Sequence, residues 1–220
     1  MKKSGFTLAE ILITLAIVGI VAALAIPTLV TKATRQAEAT KLSVTVKALE
    51  EAFGNMITDM SADSLHETGV FTVANLRKQL PITETGSKPS ELGYSSDSPY
   101  YKLDGTATDD GINAWNGFVL KNNAIILYTA SIDTCSGGTI CDTEDKSRDI
   151  IIDTNGPVGP NRWGRDVFGF GAGSTGKMYP LGSQDYQDIS GQHDTPISDC
   201  PANSWSCAYR LVKNNYRVDY

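Results

Sequence analysis

The sequence predicts an α+β protein: a long N-terminal helix, apolar in its first half and amphipathic in its second, packed on a small antiparallel sheet, with a loop-rich C-terminal region stapled by disulfides. Three observations predict it. Residues 6–29 form one apolar run that contains a single charge, Glu10. Beyond that run apolar residues recur at Leu42, Val46, Leu49, Phe53, Met56 and Met60, in steps of four and three that keep them on one helical face. The remaining chain combines short β-rich runs with most of the 20 Gly, 9 Pro and 4 Cys, a composition of turns and strands.

The apolar run is long enough to span a hydrocarbon core of roughly 30 Å at 1.5 Å per residue. Lys2 and Lys3 are the only charges before it, so the positive-inside rule puts that end in the cytoplasm and the rest of the chain outside. A carboxylate such as Glu10 costs roughly 2.5–3.5 kcal/mol deep in a membrane helix, less near an interface, and therefore suggests a partner. A helix from about residue 6 to about 60 is on the order of 80 Å long, with residues 6–29 facing lipid or other subunits and residues 30–60 lying across a domain formed by 61–220.

The segment Lys2-Lys3-Ser4-Gly5-Phe6-Thr7-Leu8-Ala9-Glu10 resembles the processing site of type IV pilins and type II secretion pseudopilins, over roughly residues 1–35. The resemblance implies that residues 1–5 are a leader removed after Gly5 by a prepilin peptidase, and that the new N-terminus, Phe6, is N-methylated. It implies that Glu10 neutralises the N-terminal amine of a neighbouring subunit as helices pack into a filament. An amine facing a carboxylate in an apolar core removes two uncompensated charges together. The family's architecture, a long helix against an antiparallel sheet, is also implied. So are its partners: other pilin or pseudopilin subunits, the peptidase, an inner-membrane assembly platform, and the bacterial cytoplasmic membrane, crossed once, before the subunit enters an extracytoplasmic filament.

Two other readings of the same residues stand beside it. Ala23-Leu24-Ala25 fits a small-residue cleavage pattern after an apolar segment, which would release a soluble secreted domain starting at Ile26. Glu10 also complements the positive end of the helix dipole whatever else it does. Within the run, Gly19 and Pro27 weaken the helix, since Pro lacks an N–H and crowds the preceding turn. In the resembled family the stretch between such residues can unwind in the filament, which implies an extensible segment from Gly19 to Pro27.

Past the helix, Thr72 to Leu80 reads as a short helix stopped by Pro81, and residues 82–111 as a loop or insertion with little periodicity. Residues 117–121 and 124–128 read as strands joined at Asn122-Asn123, where positive φ is tolerated, and Arg148 to Asp153 as a third strand. The cysteines form two close pairs, Cys135 with Cys141 and Cys200 with Cys207. Four cysteines allow three pairings; export favours disulfides and proximity favours these two. Zinc is the alternative, against which stand the absence of Cys-x-x-Cys spacing and the isolation of His66 and His193.

The segment from Asp153 to Phe170 places Asp153, Asn155, Asn161 and Asp166 close in sequence. These are hard oxygen ligands of the type calcium prefers, and some pseudopilins hold calcium in a C-terminal loop. The spacing misses the EF-hand pattern at Gly156. The other reading has these side chains capping turns while Trp163, Phe168 and Phe170 enter the core.

No catalytic set emerges: Gly-x-Ser-x-Gly, His-Glu-x-x-His and phosphate-binding Gly-rich loops are absent, and the pairs Asp109-Asp110 and Asp185 with Asp188 read as solvated surface. The formal charge is −6, and −8 without Lys2 and Lys3, a poor whole-surface match for nucleic acid or anionic lipid. An adhesin or DNA-uptake subunit would share the same N-terminus. Trp205, Tyr209 and Tyr216 near Arg210, Lys213 and Arg217 could form its ligand platform, or belong to a terminal strand with Tyr209 and Leu211 alternating. The function predicted is a filament subunit that works by assembly rather than by chemistry.

Overall fold

The computed structural model describes residues 7–68, 73–108, 112–128, 148–185, 200 and 204–220, without the side chains of His66, Ala114 and Arg148. Gly5, Phe6, Cys135, Cys141, Asp109, Asp110, Asp188 and His193 lie outside the described residues.

Helix α1 runs from Leu8 to Met60, 53 residues, or about 80 Å at 1.5 Å per residue. Thr7 starts it as an N-cap, and Ser61 ends it in the left-handed region at φ 51°. The helix is continuous through Gly19 and Pro27. Its burial begins only at Ala39, after which Leu42, Val46, Leu49, Phe53 and Met56 enter the core as their spacing predicts. Met60 does not: the helix overshoots the sheet, and that side chain is 43 % exposed.

The sheet is a six-stranded antiparallel meander in sequence order: β1 (Ile82–Gly86), β2 (Asn116–Leu120), β3 (Ile125–Tyr128), β4 (Arg148–Asp153), β5 (Val167–Ala172) and β6 (Met178–Pro180). Helix α2 (Val73–Gln79) precedes it and buries Leu76. The β2–β3 turn is built as expected: Asn123 sits at φ 62° and the Asn122 carboxamide oxygen accepts from Ala124 N at 3.0 Å.

Both faces of the sheet are covered. Phe118, Ile126, Tyr128, Ile150, Ile152, Phe168 and Phe170 pack with the buried face of α1. The opposite face, with Ile125, Leu127, Ile151 and Val167, is roofed by Leu92, Tyr94, Tyr100, Ile112 and Trp163. Double coverage explains why β3 and β5 are buried at every position instead of alternating. It also explains Gly117 in β2, where an added Cβ would lie 2.6 Å from Leu92 and Leu127 carbons.

Two expectations need correction. Residues 82–111 are not all loop: β1 pairs with β2, Thr85 opposite Phe118, and is an edge strand whose exposed central residues leave no alternating pattern to read. Nor does the C-terminus form a strand. Residues Cys207–Lys213 form helix α3, because Cys207, Ala208 and Leu211 share a helical face that a period-two reading of Tyr209 and Leu211 overlooks. Cys200 and Cys207 are joined by a disulfide that ties α3 to the preceding chain. Trp163, Phe168 and Phe170 are core residues, as expected.

Candidate functional site

The N-terminal half of α1 is the surface with the most unmet chemistry. Thirteen large apolar side chains from Leu8 to Val30 are each 48–79 % exposed, and α1 is the one helix among the described residues long and apolar enough to cross a membrane. The threonine hydroxyls along this stretch are satisfied within the helix. The hydroxyls of Thr14, Thr28, Thr31 and Thr34 donate at 2.8–2.9 Å to the carbonyls of Ile11, Ala25, Pro27 and Val30. That back-bonding lets hydroxyls sit in apolar surroundings without an unpaired donor. Pro27 offers no N–H to the Ala23 carbonyl, so one rung of the ladder is missing there.

Glu10 is the carboxylate of a capping box. Its Oε2 accepts from Thr7 N and from Thr7 Oγ1, each at 2.8 Å, while Glu10 N donates to Thr7 Oγ1 at 3.3 Å. The same carboxylate thus closes its own helix and is exposed. The Thr7-x-x-Glu10 pattern is a readable capping-box signature, and Thr7 is a participant that inspection of Glu10 alone misses.

Where α1 meets the head, four polar side chains clasp it. Arg35 Nη1 donates to Tyr220 O at 2.8 Å, and Gln36 Nε2 to Tyr216 O at 2.8 Å, while Val218 N donates back to Gln36 Oε1 at 3.3 Å. Thr154 Oγ1 donates to Glu38 Oε2, and Met178 N to Glu50 Oε1 at 3.0 Å. Asn215 and Tyr216, at φ 52° and 58°, turn the tail back onto the helix. Tyr220 completes the closure by donating its hydroxyl to Gly164 O at 2.7 Å while its ring lies 5.4 Å from the Arg210 guanidinium. No local pattern announces these contacts, because their partners lie between 56 and 185 residues away in the chain.

The acidic loop is organised by its own main chain. Asp153 is fully buried: Oδ1 accepts from Asn155 N at 3.2 Å and Gly156 N at 2.8 Å, and Oδ2 from Tyr94 OH at 2.6 Å. Asp166 Oδ2 accepts from Asn161 N at 2.8 Å and Oδ1 from Arg162 N at 2.7 Å. Burial raises both carboxyls above the usual range, most strongly for Asp153, which also faces the Asp166 charge. All four carboxylate oxygens therefore already serve protein donors, whereas the buried Oδ1 atoms of Asn155 and Asn161 have none. Among the described residues no three His, Cys, Asp or Glu side chains gather as a metal site.

The C-terminal aromatics are packed, not presented. Trp205 stacks on buried Trp163 with centroids 4.2 Å apart, and Tyr216 packs against the α1 side of the core. Burial, and then the charge of Glu50, push the Tyr216 hydroxyl up to about 12.

Comparison with curated proteins and with solved structures finds no match. One family does match, over residues 1–26, the stretch that carries Gly5, Phe6, Glu10 and Gly19. The chain bears the prokaryotic N-terminal methylation motif, the hallmark of type IV pilins and pseudopilins, and with it the α+β pilin-like layout described above.

Proposed function

We propose that this chain is a structural subunit of a type IV pilus-like or type II secretion-like filament. The observation that carries the reading is the methylation motif at residues 1–26, continued by a helix whose large apolar side chains find no cover in the subunit itself. In this reading residues 1–5 are removed after Gly5 and Phe6 becomes the methylated N-terminus. Residues 6–29 hold the subunit in the cytoplasmic membrane, with residues 30–60 and the domain 61–220 outside. The helix then leaves lipid for a core of like helices, where Glu10 exchanges its bonds to Thr7 for the amine of a neighbour. The segment from Gly19 to Pro27, already short of one backbone bond, is where the helix yields. A second bridge between Cys135 and Cys141 staples the head beside the one joining Cys200 and Cys207. The half-buried packing of Trp205, Tyr209 and Tyr216 favours a scaffold over a subunit that displays an aromatic ligand platform.

The test has two arms. Mass spectrometry of the processed protein should find methylated Phe6 at the N-terminus; a start at Ile26 would mean a secreted domain instead. Glu10→Val should leave the subunit in the membrane but exclude it from filaments, and normal incorporation would sink the role assigned to Glu10.

A further inference from the structure

We propose that the groove between α1 and the C-terminal tail binds the phosphate-bearing headgroup of an anionic phospholipid at the outer surface of the membrane. The proposal rests on reading α1 as membrane-spanning. It adds a site at which the head, and not only the helix, recognises lipid.

The groove encloses about 690 Å³ and runs between Leu29, Lys32, Ala33 and Gln36 on one side and Val218 to Tyr220 on the other. Leu29, Lys32, Ala33 and Gln36 are spaced i, i+3, i+4 and i+7, so they share one face, with Arg35 beside them as a fifth helix residue of the lining. A second hollow of about 370 Å³ continues toward the membrane along Pro27, Thr28 and Thr31, and the two share Lys32 and Arg35 as lining. Both volumes fall within or near the range of small-molecule sites.

Depth places the cations at the phosphates. Measured from Leu8 at 1.5 Å per residue, Val30 lies about 33 Å along the helix, and Lys32 and Arg35 about 36 and 40 Å. The hydrocarbon core is about 30 Å thick and the bilayer with headgroups about 40–45 Å. With a headgroup layer about 5–7 Å thick beyond the core, Pro27 falls among acyl chains, Leu29 at their boundary, Lys32 in the headgroup layer, and Arg35 at its outer edge, within reach of its long side chain.

The charge of Lys32 is uncommitted, and that of Arg35 only in part. Among the described residues neither Lys32 nor Arg35 forms an ion pair. Arg35 is held in place by its bond to Tyr220 O, yet its buried Nε has no acceptor. The nearby carboxylate, Asp219, is answered by Arg210 Nε at 2.8 Å. In a chain of net charge −6 the free ammonium of Lys32 beside the open Nε of Arg35 is a local feature and not a consequence of overall basicity.

The experiment reconstitutes the full chain into phosphatidylcholine vesicles and compares its association with spin-labelled phosphatidylglycerol and spin-labelled phosphatidylcholine. A preference for the anionic lipid of about 25-fold is expected, about fivefold from each cation, falling to about fivefold in Lys32→Gln and vanishing in Lys32→Glu. Lys32 is exposed, so these variants do not test folding. Arg35→Lys, which keeps the charge and loses the planar fork, should retain part of the preference. An inserted protein with no preference, or one unchanged by Lys32→Gln, overturns the site. Release of the lipid by water-soluble glycerophosphate at equal concentration would identify a free phosphate ligand and overturn the lipid assignment. Extraction of the unmodified chain by alkaline carbonate would instead remove the membrane reading on which the site stands.

Discussion

Replacing Tyr94 by Phe should cost more stability in alkaline than in acid solution. Tyr94 donates its one hydroxyl proton to Asp153 Oδ2 at 2.6 Å, which leaves Tyr100 as the donor across the 3.0 Å contact between the two hydroxyls. Phe removes a hydrogen bond to a fully buried carboxyl and the contact with the Tyr100 hydroxyl. A bond to a charged group contributes about 1.5–3 kcal/mol and a neutral one about 1. Burial, with Asp166 nearby, holds Asp153 well above the usual carboxylate range, so the folded protein keeps a proton that the unfolded chain releases near pH 4. The stability this group confers is full below that unfolded value and is lost as pH rises through the folded one.

Tyr94 favours the charged form, so its removal pushes Asp153 higher still and steepens that loss. The cost of Tyr94→Phe should therefore be about 1 kcal/mol near pH 4 and about 2–3 kcal/mol near pH 9. Denaturant unfolding of the full chain in detergent, followed by tryptophan fluorescence, measures it, since Trp163 and Trp205 stack beside this network. In an Asp153→Asn background the cost should lose its pH dependence. An equal cost across the pH range in the wild-type background, or a larger one in acid, would refute the coupling.

Three further outcomes are expected. Cys207→Ser opens a loop of sequence separation 7 and should lower stability by about 2.5 kcal/mol in the same assay, whereas a loss under about 1 would mean the unfolded chain gains little from opening that loop. Gly164→Ala puts a methyl 2.8 Å from Cys207 Cβ and Sγ at a residue with φ +78°, and should cost about 2–4 kcal/mol; a neutral result would mean that α3 can move aside. Adding calcium or a chelator should shift Tm by no more than about 1 °C, because a calcium ion would have to displace the main-chain donors that Asp153 and Asp166 already hold. A clear rise with calcium would assign the ion to that loop, with the Asn155 and Asn161 oxygens as its additional ligands.

The parts of the molecule legible in the sequence are those where one physical signal dominates. A 3–4 apolar period over Leu42 to Met56 has no competing explanation, and Asn122-Asn123 between two apolar runs is a turn on steric grounds. Illegibility follows where signals are weak or shared. β1 is an edge strand with exposed central residues, so it lacks both alternation and a buried run. The segment at Cys207 is seven residues long, too short for period two and period 3.6 to be told apart. At the candidate site, Glu10 is conspicuous because it is the lone charge in an apolar run. Arg35, Gln36 and Glu38 are ordinary helix-surface residues until folding brings Tyr216, Tyr220 and Thr154 beside them. No sequence-local rule reaches across that separation.

On the proposed function, the same asymmetry bears on how the subunit would leave a membrane. Covering thirteen side chains at about 1.5–3 kcal/mol each is worth roughly 20–40 kcal/mol, well above the 5–15 kcal/mol that typically holds a domain together, so residues 8–30 must be covered at every stage. Lipid tails and the side chains of neighbouring helices are about equally apolar, however, so that large term nearly cancels on transfer from one to the other. On the function and lipid site proposed above, what would remain to set the direction is a small group of polar terms: the bonds of Glu10 to Thr7 against an amine in the filament, the backbone rung missing at Pro27, and the lipid contacts of Lys32 and Arg35. Each is worth a few kcal/mol at most, which suits a reversible step. The clasp of Arg35 and Gln36 onto the tail joins these terms to the head, and a pull on the globular domain, entering α1 along Ala39–Met56, would pass the turn that carries both cations before it reached Glu10. Force applied outside the membrane would then break headgroup contacts before it reaches Glu10, so the headgroup contacts at the outer surface would oppose the pull first and the bonds of Glu10 to Thr7 last.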